Sequence, residues 1–402
     1  MASTLRLWPA GRMKPERIYL DWNATTPLRA EARAAMASAF DVGNPSSVHS
    51  EGRRARAVVE QARGQLAAAV GARPQDVIFT SGGTEANALA LAPFIRNGAQ
   101  NLERVIVSSV EHASVRAGGR FPPERIATIA VDRDGVIDLR HLDTLLAAGP
   151  PALVSVMLAN NETGAIQPIA VVAESVHRAG SLLHVDAVQA LGKSPFQISK
   201  LGADLISISA HKIGGPKGIG ALVLAPGITP PEPLLRGGGQ EQGRRAGTEN
   251  VIGIAGFGAA AQAAHGSREH DMARVERLRE KLEKILRQTC GITIFSDDVA
   301  RLPNTTLFAL PGLKAETAVI GFDLAGIAVS SGAACSSGKV QPSQVLSAMQ
   351  VEPELVRGAI RISLGWETTE AEIERCGEVW QKLSGTLITR KHETELERFQ
   401  TS

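Results

Sequence analysis

Seven strand-length runs rich in Val, Ile and Leu, set between segments of helical period, constrain this chain more than any other feature. They fall at 77–80, 104–109, 126–131, 153–159, 182–186, 204–209 and 220–224. Such near-continuous apolar runs are what a strand shows when both of its faces are covered. Helical segments at 84–96, 138–148 and 169–178 lie between several of them. The alternation specifies an α/β fold with a mostly parallel, helix-covered sheet, and such a sheet holds its ligand at the carboxyl ends of its strands.

At 402 residues and 44% hydrophobic content, the chain is long enough for two units. The character of the sequence changes after residue 264. A charged helix at 270–287, short strands near 305–310 and 359–363 and a last helix at 370–388 predict a smaller α+β unit. The expected division is a large unit at 18–264, a small unit at 265–390 with 1–17 packed nearby, and a loose polar tail at 391–402.

Lys plus Arg number 43 against 41 Asp plus Glu, so overall charge gives no reason to expect nucleic acid or an anionic membrane as partner. Three cysteines, Cys290, Cys335 and Cys376, are too few and too far apart for a disulfide framework or a metal knuckle, which favours a reducing, cytoplasmic setting. No apolar run approaches the roughly 20 residues that span a bilayer. Residues 1–15 carry Arg6, Arg12 and Lys14 without an acid, faintly like a transit peptide, but they are short and broken by Pro9 and Gly11.

Three constellations carry chemistry. In DVIFTSGGTEANALAL a strand runs through Ser81-Gly82-Gly83-Thr84 directly into a helix, so backbone N–H groups and a hydroxyl converge as a phosphate cradle. An ordinary turn capped by Thr84 fits equally well, and neither GKS/GKT nor GxGxxG is present. In LLHVDAVQ, Asp186 ends an apolar strand, where a carboxylate needs a cation or strong donors such as a pyridinium nitrogen. In DLISISAHKIGGPKG another strand delivers Ser209, His211 and Lys212, and partial desolvation suits Lys212 to Schiff-base formation. Taken singly, Asp186 is also a cap and Lys212 a solvated loop lysine. Together, in this order, they are the parts that pyridoxal 5'-phosphate requires.

The chain resembles the cysteine desulfurases of the NifS/IscS group, within the aminotransferase class V family of fold type I. The resemblance runs from about Ile18 to Ile388 through YLDWNATTP, GNPSSVH, TSGGTEAN, EHASV, NNETG, HVDAVQ, SAHKIGGPKGIGAL, GGGQEQGRRAGTEN, SSGAACSSG and IRISLG. It implies Lys212 as the Schiff-base lysine and proton shuttle, Asp186 on the pyridinium nitrogen, and Gln189 on the ring oxygen. His112 would lie against the ring face and move protons, and Asn161 would reach the ring oxygen and the substrate. Gly83, Thr84, Ser209 and His211 would hold phosphate, with Thr248 adding a contact across a homodimer interface. Arg361 would clamp the substrate carboxylate, its alternative being a structural ion pair.

The resemblance further implies that Cys335 takes sulfur from L-cysteine as a persulfide, leaving L-alanine, and passes it to an acceptor or scaffold protein for iron–sulfur assembly. No resident metal is expected; Cys335 would meet a nascent cluster only during transfer. The RRAGTENV stretch resembles nitrogen-fixation members. The long SSGKVQ segment and the lack of RxGHxC set the chain apart from selenocysteine lyases. A class V aminotransferase, a selenocysteine lyase acting on a related small amino acid and a non-catalytic scaffold are the alternatives. Cys290 and Cys376 are expected to pack. Small neighbours in VSSGAACSSG offer Cys335 no local base, which suits a carrier arm and predicts mobility at 331–341.

Overall fold

The structure is a computed structural model that describes the backbone of residues 17–93, 95–97, 100–332, 335–336, 339–340 and 342–400. Side chains are described at these positions except 96–97, 100, 335–336, 339–340 and 386–400.

The seven apolar runs form one sheet. Its strands are β1 (Val77–Thr80), β2 (Val105–Ser108), β3 (Ile126–Ile129), β4 (Leu153–Ser155), β5 (Leu182–Asp186), β6 (Leu205–Ser209) and β7 (Gly220–Leu224), in spatial order β1-β7-β6-β5-β4-β2-β3. Only β7 runs against its neighbours in this sheet; the other contacts are parallel. Alternate residues supply two separate cores. Ile106, Val154, Val185, Ile206 and Ile208 join one, whereas Val105, Val107, Leu153, Leu182 and Leu205 join the other. Burial of both faces is why the sequence shows unbroken apolar runs.

Several boundaries differ from expectation. The helix expected at 84–96 spans only Gly83–Ala90, because Pro93 cannot continue it. Ile95–Asn97 then pairs with Gln100–Leu102. The run at 153–159 is ladder-paired only to Ser155, beyond which Val156 and Leu158 still donate to the carbonyls of His184 and Asp186.

The charged helix expected at 270–287 is the second half of a continuous helix, Val251–Leu286. Its first half, small and apolar, lies against Ser50–Val70, where a Cβ on Gly258 would come 2.5 Å from Ala62 Cα. Ile254, Phe257, Ala260 and Ala264 belong to the first core, and Val275, Leu278, Leu282 and Leu286 to another. One rod therefore crosses the expected boundary at 264/265. Leu20 also joins the later core, because Ile18–Tyr19 pairs in parallel with Ile327–Ala328.

A second sheet holds Thr293–Ile294, Thr305–Ala309, Ile360–Ser363 and Ser330–Ser331 in that order. The last helix runs Glu370–Gln400, taking in most of the expected loose tail; KHETELERFQ contains good helix formers and no Gly or Pro. Packing of residues 1–16, and most of the mobility expected at 331–341, lies outside the described residues. Within that stretch, Cys335–Ser336 pairs antiparallel with Lys339–Val340.

Trp380 is fully buried, meets Phe308 edge-on at 5.0 Å and donates its indole N–H to Thr289 Oγ1 at 2.9 Å. Trp380→Ala should lower stability by about 3–5 kcal/mol, measured as an earlier urea transition by circular dichroism, with Trp380→Phe losing distinctly less.

Candidate active site

The carboxyl ends of β1, β4, β5 and β6 open onto one cavity of about 270 Å³. Gly83, Thr84, His112, Asn161, Asp186, Gln189, Ser209, His211, Lys212 and Arg361 all line it. At the Gly83–Ala90 helix start, a Cβ on Gly83 would lie 2.9 Å from Val188 Cγ2, so a side chain there would push into the cradle. The N-terminal N–H groups of that helix, with the hydroxyls of Thr84 and Ser209, form the donor set a phosphate requires.

Asp186 is buried, and burial raises its carboxyl above the usual range, opposed by hydrogen bonds from Val188 N–H at 3.0 Å and Asn87 Nδ2 at 2.8 Å. No Lys or Arg forms an ion pair with it among the described residues. A protonated pyridine nitrogen would supply the missing cation. Asn87 also donates to Ser114 Oγ at 2.9 Å, and Ser114 Oγ lies 2.8 Å from His112 Nδ1. His112 Nδ1 accepts from Ser114 N–H at 3.2 Å, so the neutral ring carries its proton on Nε2. Burial lowers the imidazole pKa and favours that neutral form. Behind Asp186 lies Glu111, buried and pushed well above the carboxylate range by burial and by Asp186, with Oε1 accepting from Met157 N–H at 2.6 Å.

Lys212 follows β6 on a single 3₁₀ turn, Ala210–Lys212, and donates to the carbonyls of Asn23 at 2.5 Å and Ala24 at 2.9 Å. Burial first, then Arg361, pushes its amine down to about 8. His211 is lowered to about 4, again chiefly by burial, and is neutral near pH 7. Gln189 Nε2 donates to Asn23 O at 3.0 Å, which leaves its second hydrogen to spare, while Oε1 accepts from Lys193 Nζ at 2.7 Å. Lys193, buried beneath the site, is held well below the usual lysine range by burial.

Arg361 lies within its strand rather than at the end. The ion pair expected as the alternative is present: Nη2 donates to Asp21 Oδ1 at 2.7 Å and Nη1 to Asn161 O at 2.9 Å, while Nε is buried without a partner. Asn87 Oδ1 is likewise unpartnered. These open donors and acceptors, the phosphate cradle and the uncompensated Asp186 fit pyridoxal 5'-phosphate with an amino acid.

Thr248 lines a separate cavity with Ser81, Gly218 and Arg245, not this one. The side chain of Cys335 lies outside the described residues. Cys376 is buried and burial pushes its thiol up to about 12, whereas Cys290, expected to pack, is exposed just beyond a helix end. Sequence reasoning missed Asn87, Ser114, Asn23, Glu111 and Lys193. Two left a signal: Asn87 follows Thr84 by one helical turn, and Lys193 stands four residues after Gln189.

Residues 18–376 match the aminotransferase class-V family. The chain is 45% identical over 372 residues to a cysteine desulfurase of Cereibacter sphaeroides, covering 90% of this chain and 95% of that protein. It is 39% identical over 383 residues to cysteine desulfurase IscS of Dictyoglomus turgidum, covering 94% and 96%. Among solved structures, a NifS-like protein from Rickettsia africae superposes with a TM-score of 0.83 at 38% identity, covering 91% of this chain and 99% of that one.

Because the Lys212 amine is neutral only above about 8, apoprotein should take up pyridoxal 5'-phosphate about tenfold faster at pH 9 than at pH 7 and level off beyond. Stopped-flow absorbance tests this. A flat pH profile, or a Lys212→Ala protein with an unchanged cofactor band, would remove Lys212 from the role.

Proposed function

Because the chain belongs to the aminotransferase class-V family and is a pyridoxal 5'-phosphate-dependent cysteine desulfurase within it, we propose that Lys212, His112, Arg361 and Cys335 divide the chemistry between them. The observation that carries this reading is the convergence of Lys212, Asp186, Thr84 and Arg361 on one cavity. When bound, pyridoxal 5'-phosphate supplies an electron sink that acidifies the substrate Cα–H and loosens the β-sulfur. Thr84, Ser209, His211 and the Gly83 backbone hold its phosphate. Asp186 keeps its ring nitrogen protonated, and Gln189 and Asn161 approach its ring oxygen.

Arg361 holds the substrate carboxylate through Nε, with the bond to Asp21 fixing the guanidinium plane. Lys212, with an amine tuned to about 8, removes the Cα proton and returns one near neutral pH. His112 covers the ring face and moves protons through Nε2, since Nδ1 is committed to Ser114.

The Cys335 thiolate attacks the β-sulfur of L-cysteine. A sulfur–sulfur bond forms as the carbon–sulfur bond breaks, and the carbon keeps the electron pair and takes up a proton. L-cysteine and the Cys335 thiol thus become L-alanine and a Cys335 persulfide, without an external oxidant or reductant. The persulfide then passes to an acceptor or scaffold protein for iron–sulfur assembly, with nitrogenase the destination that RRAGTENV favours. The working unit is a cytoplasmic homodimer in which Thr248 reaches the phosphate of a second copy. Its place in a different cavity of its own chain is consistent with that. The domain reading is a cofactor-binding unit at 18–264 and a smaller unit at 265–390 that carries the cysteine segment.

With L-cysteine and a reductant, the wild type should release sulfide and alanine in equal amounts. Cys335→Ser should lose sulfide release at least about a hundredfold while keeping the cofactor band. Wild-type sulfide release by Cys335→Ser would rule out the persulfide route, and full transamination activity by Cys335→Ala would identify an aminotransferase.

A further inference from the structure

A second cavity of about 230 Å³ shares His112, Asn161 and Arg361 with the cofactor cavity. Ser330, Ser331 and Gly332 line it where the cysteine-bearing segment leaves the fold, and Gln344 and Val345 where the chain has returned. The two attachments differ in kind. On departure, Ser330 and Ser331 pair with Arg361 and Ile360, and Gly332 N–H donates to Ala359 O at 2.7 Å. On return, the fully buried Ser343 caps Gln344–Ala348, its Oγ accepting from Leu346 N–H at 3.0 Å and donating to Glu162 Oε2 at 2.5 Å.

Glu162 is therefore the side-chain link between this return point and the site. It sits in the turn after Asn161, and its own N–H donates to Asn160 Oδ1 at 2.8 Å. Arg361 donates to the Asn161 carbonyl in the same turn. A half-buried carboxyl here is costly: burial raises it to about 7 despite the hydroxyl of Ser343 and the nearby Arg361 and Arg116. A cap hydroxyl needs no carboxylate, and one hydrogen bond does not offset that desolvation. The group earns its place by geometry rather than stability.

We propose that Glu162 is a positioning residue for sulfur transfer: through Ser343 it fixes where the chain re-enters the fold after Cys335, and hence how Cys335 is presented to the substrate sulfur. This rests on the reading of Cys335 as sulfur acceptor. Glu162 touches neither substrate nor cofactor in this role, so substrate capture and sulfur transfer separate when it is removed.

The test uses full-length holoenzyme in single turnover with L-cysteine. Cofactor absorbance follows substrate capture, mass spectrometry follows persulfide on Cys335, and iodoacetamide labelling of Cys335, mapped by peptide, is measured without substrate. Glu162→Ala and Ser343→Ala should each slow persulfide formation roughly tenfold, in line with the sensitivity of such reactions to small misplacements, and leave capture unchanged. Both should also change the labelling rate at least about threefold, and the double variant should be no slower than Glu162→Ala. Glu162→Gln, which keeps an acceptor oxygen, should stay near wild type.

Wild-type persulfide formation in both alanine variants overturns the proposal. So does a Glu162→Gln protein as slow as Glu162→Ala, a loss of capture parallel to the loss of transfer, or unchanged labelling in both alanine variants. If even the wild type forms no persulfide on Cys335, the acceptor reading fails instead, and labelling alone then decides whether Glu162 anchors the segment.

Discussion

The carboxylate of Asp186, removed from water at the carboxyl end of β5, is the constraint around which the site is arranged. A buried anion without a cation is unfavourable, and here the protein supplies only a backbone N–H and the amide of Asn87. A protonated cofactor ring would fill that deficit. Other groups follow from it. Burial and Asp186 push the Glu111 carboxyl well above its usual range, burial lowers the His112 imidazole, and the Lys212 amine is lowered to about 8 by burial in the same cavity. The cavity thus holds an unneutralised acid and a readily deprotonated lysine before any ligand arrives, and that asymmetry is what pyridoxal chemistry uses.

Much of this was legible in the sequence, for identifiable reasons. The central strands were readable because burial on both faces removes most polar alternation, so Gly220–Leu224 shows as one apolar run. Gly83, Asp186 and Lys212 were readable because each stands at a strand end, where topology alone places ligands. Asn23 and Glu111 were not, because their partners are distant in the chain, and Lys193 was so only through Gln189, four residues earlier, not through its other partner. Lys193 donates to Asn23, 170 residues earlier, and Glu111 accepts from Met157, 46 residues later. No local pattern encodes such pairs. Helix limits failed where a long-range surface decided them: the glycine- and alanine-rich start of Val251–Leu286 is held as helix by close packing against Ser50–Val70.

Arg361 shows how one residue can satisfy two readings. A bond to Asp21 gives it the structural ion pair, and it also lines the cavity in which the proposed clamp on a substrate carboxylate would act. A guanidinium has donors enough for both, which a lysine at the same place would lack.

The segment around Asn23 carries a consequence for how the protein is made. Asn23 N–H donates to Ser363 Oγ, its side chain to Thr305, its carbonyl accepts from Lys212, and its Oδ1 accepts from Lys193 and Asn304. Asn23 therefore waits for a residue made 340 positions later. The cofactor cavity cannot close until Arg361 has been synthesised, because it lines the wall, and Ser363 then holds Asn23 in place. A chain that ends before Arg361 presents strand ends without a finished pocket.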